Sequence, residues 1–243
     1  MYFNDFDYDV FTEEKIKLNT NDVREKRKGI QDKLLEINED IKEELEKEFC
    51  LYPNKKKQHI TSLLYPCKYN KGMVNWICLR YSKNHDLLNG FSRLDETYAG
   101  YQKWNNFQIS IYNYGISIGL YHSVPYDSYD RSYVREKLRK NDNEFIDNLI
   151  NAVESTQGNG YEFKIINSEN NFLYTFSFDN YTKENVGEEF IKFYEQKCLD
   201  GNYSVIVKDY NKDDEIISTK EKIEELFIKQ LKELYPIFIA LSY

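Results

Sequence analysis

The longest regular pattern of apolar and polar positions in the chain lies between Asn21 and Phe49. Apolar residues recur there every three or four positions, with glutamate and lysine between them. This spacing predicts an amphipathic helix over residues 21–49, capped at its start by Asn21. The apolar face of this helix comprises Ile30, Leu34, Ile37, Ile41, Leu45 and Phe49.

A second pattern has a period of two and covers residues 107–121. Two alternating runs flank a turn that contains Asn113 and Gly115, which predicts a central antiparallel hairpin. One side of the hairpin is polar. The other side is expected to pack on a core and comprises Phe107, Ile109, Ile111, Ile116, Ile118 and Leu120.

Shorter patterns predict the remaining elements. Helices are expected at 129–140, 143–154, 184–199 and 219–235, and strands at 59–64, 74–81, 161–166, 172–178 and 203–208. Ser218 and Glu221 have the spacing of a capping box for the C-terminal helix, and Pro236 is expected to end it. Paired strands bracketed by helices predict an α+β fold. We expect a single domain over 1–243, in which helices pack on a mostly antiparallel sheet as a two-layer sandwich.

Composition narrows the class of protein. Hydrophobic residues make up 41% and aromatic residues 16% of the 243 positions, which is too many for a disordered chain. No export signal and no run of eighteen apolar residues is present, so a membrane partner is not expected. The four cysteines are few and irregularly spaced, as is typical of reduced thiols, and we expect a cytoplasmic protein.

Charge is distributed unevenly along the chain. Residues 1–50 carry 9 basic and 15 acidic side chains, residues 51–140 carry 14 and 6, and residues 141–243 carry 10 and 20. The middle block therefore has a net charge of +8 inside a chain of net charge -8. Like charges that cluster in this way are typical of a surface that serves a partner.

Several short motifs resemble the DUF1054 (YktB-like, UPF0637) family of uncharacterised bacterial proteins. These are Asp5-Phe-Asp-Tyr-Asp-Val-Phe11, Arg27-Lys-Gly-Ile30-Gln31-Asp-Lys33-Leu34, His59-Ile60 ahead of Trp76, Asn106-Phe107-Gln108-Ile109, and Leu234-Tyr235-Pro236. The family's basic run after its first histidine is replaced here by Thr61-Ser-Leu-Leu-Tyr65, and its histidine before Phe-Gln is Asn106. The resemblance implies a compact two-layer α+β fold and no particular activity.

The basic middle block is also rich in aromatic residues, the mixture that phosphate neutralisation and base stacking require. We therefore predict a basic aromatic central face that recognises an anionic partner, namely single-stranded nucleic acid or a nucleotide. A second basic cluster, residues 131–140, falls on one predicted helix. The predicted binding residues are Lys55, Lys56, Lys57, His59, Trp76, Arg80, Arg93, Lys103, Trp104 and Gln108.

Two other function classes stay open. Glu162 and Lys164 alternate on a predicted strand, as in metal-dependent nucleases, with Asp147 as a further carboxylate; only this alternative would use a cofactor, Mg²⁺. The acidic ends of the chain would suit a protein-interaction or inhibitor module with a protein partner. No metal site is predicted otherwise, because His59, Cys67, Cys78 and His85 lack the close pairing of zinc ligands.

Overall fold

The structure is a computed structural model that describes residues 1–54, 60–83, 103–122, 128–166, 172–198 and 203–243. The helices in these ranges are α1 (Asp5–Asp9), α2 (Asn21–Phe49), α3 (Tyr129–Arg139), α4 (Asn143–Glu154), α5 (Val186–Lys197) and α6 (Lys220–Ala240). The strands are β1 (Ile77–Tyr81), β2 (Asn106–Ile111), β3 (Gly115–His122), β4 (Glu162–Ile166), β5 (Phe172–Ser177) and β6 (Tyr203–Asn211).

The strands form one antiparallel sheet in the order β1-β2-β3-β6-β4-β5, which confirms the predicted α+β class. The chain divides into two compact units. The first comprises Met1–Ala99, Gln108–Ile118 and Asp209–Ile228, and the second comprises Gly100–Phe107, Gly119–Lys208 and Lys229–Tyr243. The single domain stays a prediction.

Helix α2 provides the main apolar surface of the first unit. All six residues of its predicted apolar face are buried, and the helix has the predicted bounds. It packs on β1, where the Tyr81 hydroxyl donates to Asn38 Oδ1 at 2.8 Å and the Tyr81 ring lies 5.9 Å from that of Phe227. The N-cap is Thr20, not Asn21 as predicted, because Asn21 already has helical geometry.

The second unit contains an aromatic cluster between β4, β5 and α5. The ring of Phe176 lies 5.6 Å from Phe190 and 5.4 Å from Phe193, and Phe163 pairs with Phe176 across the two strands. Helix α4 packs on α5 at Gly187, where an added Cβ would lie 2.8 Å from Ile150. A glycine at this position therefore permits the close approach of the two helices.

Two predictions about the C-terminal helix are wrong. Helix α6 continues through Pro236 to Ala240. The continuation is favoured because Ile237 and Phe238 are fully buried, which offsets the hydrogen bond that the proline cannot donate. The N-terminal cap is also different, since Thr219 Oγ1 accepts from the Lys222 amide at 3.3 Å in place of the predicted Ser218 cap.

The polar side of the central hairpin is buried along with its apolar side. Every residue of β1, β2 and β3 is buried. Alternation along the sequence distinguished the two sides of these strands, but it did not show that the polar side is also covered.

Arg27 of α2 is fully buried and organises the preceding segment. One guanidinium nitrogen donates to Leu18 O at 3.0 Å and Leu64 O at 3.3 Å. The other donates to Lys15 O at 2.9 Å, Ile16 O at 3.4 Å and Val10 O at 3.5 Å. Burial lowers the pKa of Arg27 to about 10, so the side chain remains charged at neutral pH.

We expect Arg27→Met to lower the free energy of unfolding by at least about 3 kcal/mol, because it removes the donor of five hydrogen bonds to main-chain carbonyls, including the buried one to Val10 O. The control is Arg24→Met on the same helix, where an exposed guanidinium donates to Asn19. This change should cost less than about 0.5 kcal/mol. Urea unfolding monitored by circular dichroism measures both values, and equal losses would contradict the assigned role of Arg27.

Candidate functional site

A strip of side chains crosses β1 and β2 within the first unit. Cys78 and Arg80 alternate on β1 and project to the same side of the sheet, and Trp76 immediately precedes this strand. Gln108 and Ser110 lie on β2, and Tyr112 immediately follows it. The Trp76 and Tyr112 rings lie 5.7 Å apart, and the Cys78 thiol interacts with Ser110. In an antiparallel pair these contacts place Arg80 opposite Gln108.

One end of this strip is buried and polar. Arg80 is only 3% exposed, and its guanidinium donates to Thr61 O at 3.0 Å. Thr61 Oγ1 in turn accepts from the Gln31 amide of α2 at 2.6 Å. Beside Arg80, the Ser110 hydroxyl donates to Gln108 Oε1 at 3.3 Å. Burial raises the pKa of the Cys78 thiol, although the positive charge of Arg80 opposes the shift.

The other end of the strip is an aromatic ladder, which we define as Trp76, Tyr112 and Tyr114. The Tyr112 and Tyr114 rings are stacked, with centroids 5.1 Å apart and planes inclined by 12°. Tyr114 is 37% exposed, and its hydroxyl donates to Asp209 Oδ1 at 3.4 Å. Trp76 and Tyr112 are half-buried. The ladder therefore presents partly exposed ring surface at the end of the β2–β3 hairpin.

Three of the ten predicted binding residues lie on this strip, Arg80 and Gln108 at its buried end and Trp76 at the ladder. Lys103 and Trp104 belong to the second unit, where Trp104 stacks on Tyr129 at 4.6 Å. The other five lie outside the described residues: Lys55, Lys56, Lys57, His59 and Arg93. Tyr112 and Tyr114 were not predicted, because only the turn geometry places them in line with Trp76.

The predicted basic helix is α3 together with Lys140. Two of its lysines pair with nearby carboxylates, since Lys137 Nζ lies 2.6 Å from Asp142 and Lys140 Nζ lies 2.5 Å from Glu136. Arg131 is fully buried, whereas Arg139 is exposed. The positive charge of this helix is therefore reduced by acidic residues close to it in the chain.

A buried polar network in the second unit surrounds His122, which was not predicted as a site residue. Its Nδ1 lies 2.8 Å from Asn105 Oδ1, and its Nε2 lies 2.6 Å from the Tyr194 hydroxyl. The Asn105 amide donates to Leu241 O, so its oxygen accepts the Nδ1 proton and Tyr194 donates to Nε2. Burial, aided by the charge of Arg131, lowers the pKa of His122 to about 3.

Asp130 extends this network to the end of the chain. Its carboxylate accepts from the backbone N–H of Asn105 at 2.5 Å and from the backbone N–H of Tyr243 at 2.6 Å. The sequence carried one signal for the network, because the alternation that buries Ile116, Ile118 and Leu120 continues to His122. Each ring nitrogen of this neutral histidine has a partner, so the network is suited to holding the second unit together.

Glu162 and Lys164 project to the same side of β4, as the nuclease alternative expects. The two side chains pair with each other, with Nζ and Oε2 2.9 Å apart, and Asp147 lies on helix α4. Among the described residues, no group of three histidine, cysteine, aspartate or glutamate side chains is arranged to hold a metal ion. The nuclease alternative stays a prediction.

No protein-family model matches the chain, and comparison with characterised proteins finds no significant sequence match. The resemblance to the DUF1054 family stays a prediction. Within the ranges that the structure covers, no helix is both long enough and apolar enough to cross a membrane.

The His122 network predicts a specific dependence of stability on pH. The pKa of His122 is about 3 in the folded state, and that of an unfolded histidine is about 6.5. Between these values the unfolded state binds more protons. The stabilisation is therefore complete above about pH 6.5 and is lost as pH falls towards 3, by at most about 1.4 kcal/mol per pH unit.

His122→Gln should lower stability at neutral pH and should also flatten the decline of stability below pH 6.5. The measurement is urea unfolding of both proteins at a series of pH values. Tyr194→Phe is the control, since it removes the hydroxyl partner and keeps the histidine. If His122→Gln has the same pH slope as the unsubstituted protein, His122 is not neutral in the folded state.

Proposed function

We propose that this protein binds single-stranded nucleic acid or a nucleotide in the cytoplasm, with the aromatic ladder as the stacking surface. The observation that carries the proposal is the alignment of Trp76, Tyr112 and Tyr114 at the exposed end of the β1–β2 strip. Partly exposed aromatic rings stack on bases of any sequence, because every base has a π face. Such a ladder suits recognition without sequence preference.

Positive charge close in sequence to the ladder supports the same function. Lys68 and Lys71 are exposed in the turn that precedes Trp76. Lys55, Lys56 and Lys57 belong to the same block of residues 51–140, whose net charge is +8. Lysines attract phosphate groups and release counterions when they bind, so they would supply affinity while the rings supply base contacts.

We assign Arg80 and Gln108 a supporting role in place of the ligand contact predicted for them. Both side chains are buried and engaged inside the protein, Arg80 with Thr61 and Gln108 with Ser110. We propose that Arg80 holds the segment around Thr61 against β1, that Gln108 and Ser110 satisfy each other on β2, and that the Arg80 charge contributes to the local positive potential. Direct contact with the ligand is assigned to the rings and to the exposed lysines.

The stacking role predicts that Tyr114→Ala weakens binding of a single-stranded DNA oligonucleotide. Removing one stacking ring costs about 1–3 kcal/mol of binding free energy, or roughly a 5- to 150-fold increase in Kd. Fluorescence anisotropy of labelled DNA measures the change. Tyr243→Ala is the control, because this exposed ring lies in the second unit and contacts Tyr133 instead.

Trp76 provides an independent readout of stacking. Trp104→Phe leaves Trp76 as the only tryptophan of the two in the chain. Titration with unlabelled oligonucleotide should then quench its emission. Stacking on the ladder is excluded if Tyr114→Ala leaves Kd unchanged and the Trp76 emission does not respond.

The electrostatic role predicts that Lys55→Glu, Lys56→Glu and Lys57→Glu together abolish or greatly weaken binding. They should also reduce the dependence of log K on log salt, by about 0.7 for each phosphate that the protein no longer neutralises. The control reverses three exposed lysines of the acidic last block, Lys183, Lys192 and Lys229, and changes the net charge by the same amount. Equal weakening by both triple variants would contradict a localised basic surface.

A further inference from the structure

Strand β5 lies at one edge of the sheet. Its hydrogen-bonded neighbour is β4, and the strand order places no further strand beside it in the part of the chain that the structure describes. An edge strand presents a row of main-chain N–H and C=O groups that can pair with another strand. At the opposite edge of the sheet, β1 has two isolated bridges beside it. Thr61 pairs with Leu79 of β1, and Tyr52 pairs with Ser82, which follows the strand.

The composition of β5 lacks the usual protection of an edge. Its geometry provides one such device, because the register with β4 shifts at Leu173, between the pairs Ile166–Phe172 and Ile165–Tyr174. The regular part of the edge is therefore residues 174–177. The six residues of β5, Phe-Leu-Tyr-Thr-Phe-Ser, include no charged residue, no proline and no glycine, the residues that natural edges use to prevent pairing. Leu173 is 42% exposed and Tyr174 is 38% exposed. The strand is therefore strongly β-forming, apolar and accessible.

The two sides of β5 have distinct environments. Phe176 packs on α5, and the Tyr174 ring lies 4.5 Å from Lys197 Nζ of the same helix. Thr175 projects to the opposite side, and both Thr175 and Leu173, which lies at the register shift, are exposed. A strand that pairs with β5 must therefore place aromatic side chains on the side of the sheet that faces α5. On the opposite side it must place apolar or hydroxyl side chains.

We propose that a second copy of this chain pairs with β5 through its own β5, antiparallel about a two-fold axis. A two-fold axis perpendicular to the sheet keeps the side that faces α5 on the same side in both copies. Tyr174 and Phe176 of one copy therefore adjoin the same residues of the other. The six residues of β5 carry no charge, so the strands themselves place no like charges across the new pair. The second copy therefore has the complementary surface that the edge requires. Lys197, which lies over the Tyr174 ring on each copy, adds to the repulsion that salt would screen.

The strength of this dimer follows from its size and charge. A pair of six-residue strands is smaller than a standard interface, which buries about 1,200–2,000 Å². Each copy also has a net charge of -8, which opposes association at low salt. The dimer is therefore weak, and added salt strengthens it by screening. Nucleic-acid binding has the opposite salt dependence, so the two properties can be separated.

Sedimentation velocity of the full chain, from about 1 µM to about 1 mM and at low and high salt, tests the proposal. We expect a concentration-dependent monomer–dimer equilibrium that shifts towards dimer as salt rises. Leu173→Lys and Thr175→Lys should each raise the dimer Kd at least about tenfold, because each places like charges across the pair. Ile239→Lys on α6, at a site that is 46% exposed, should leave the Kd unchanged.

Hydrogen exchange identifies the surface directly. The amides of β5 should become more protected as protein concentration rises, and those of α6 should not. A monomer at every concentration and salt overturns the proposal. A dimer that neither Leu173→Lys nor Thr175→Lys weakens also overturns it, because another surface must then be responsible.

Discussion

Burial of strands β1, β2 and β3 on both sides of the sheet is the constraint on which the rest of the structure depends. A buried polar group without a partner costs about 1–3 kcal/mol, so each polar side chain on these strands must find a partner inside the protein. This explains why Arg80 reaches Thr61 and why Ser110 meets Gln108. The same requirement at the end of β3 explains why His122 is held between Asn105 and Tyr194.

The periodic parts of the fold could be predicted from the sequence because one face of each element is apolar. Helix α2 begins and ends where its pattern predicts, and β2 to β5 lie close to their predicted ranges. Of the strand expected at 59–64, the described residues 60–64 form only an isolated bridge at Thr61. Local signals at helix ends were less informative. Pro236 failed to end α6 because tertiary burial of the residues after it outweighs the loss of one hydrogen bond, and this burial is invisible in the local sequence.

The candidate site was predictable only in part, because some of its residues share a pattern along the sequence and others meet only in three dimensions. Trp76, Arg80 and Gln108 stand out in a basic aromatic block, and strand alternation places them on one strip. Tyr112 and Tyr114 join them only because the hairpin turn places their rings in line, which depends on three-dimensional geometry. The His122 network combines residues far apart in the chain, so no local pattern could assemble it.

The five carbonyl contacts of Arg27 have a consequence for tolerance to sequence change. The irregular segment before α2 is held through its main chain, at Val10, Lys15, Ile16 and Leu18, by a side chain that belongs to another element. Replacing the exposed side chains at Lys17 or Leu18 leaves every acceptor in place. Arg27 therefore fixes main-chain positions of this segment without constraining the side chains there, so the exposed positions Lys17 and Leu18 are free to diverge.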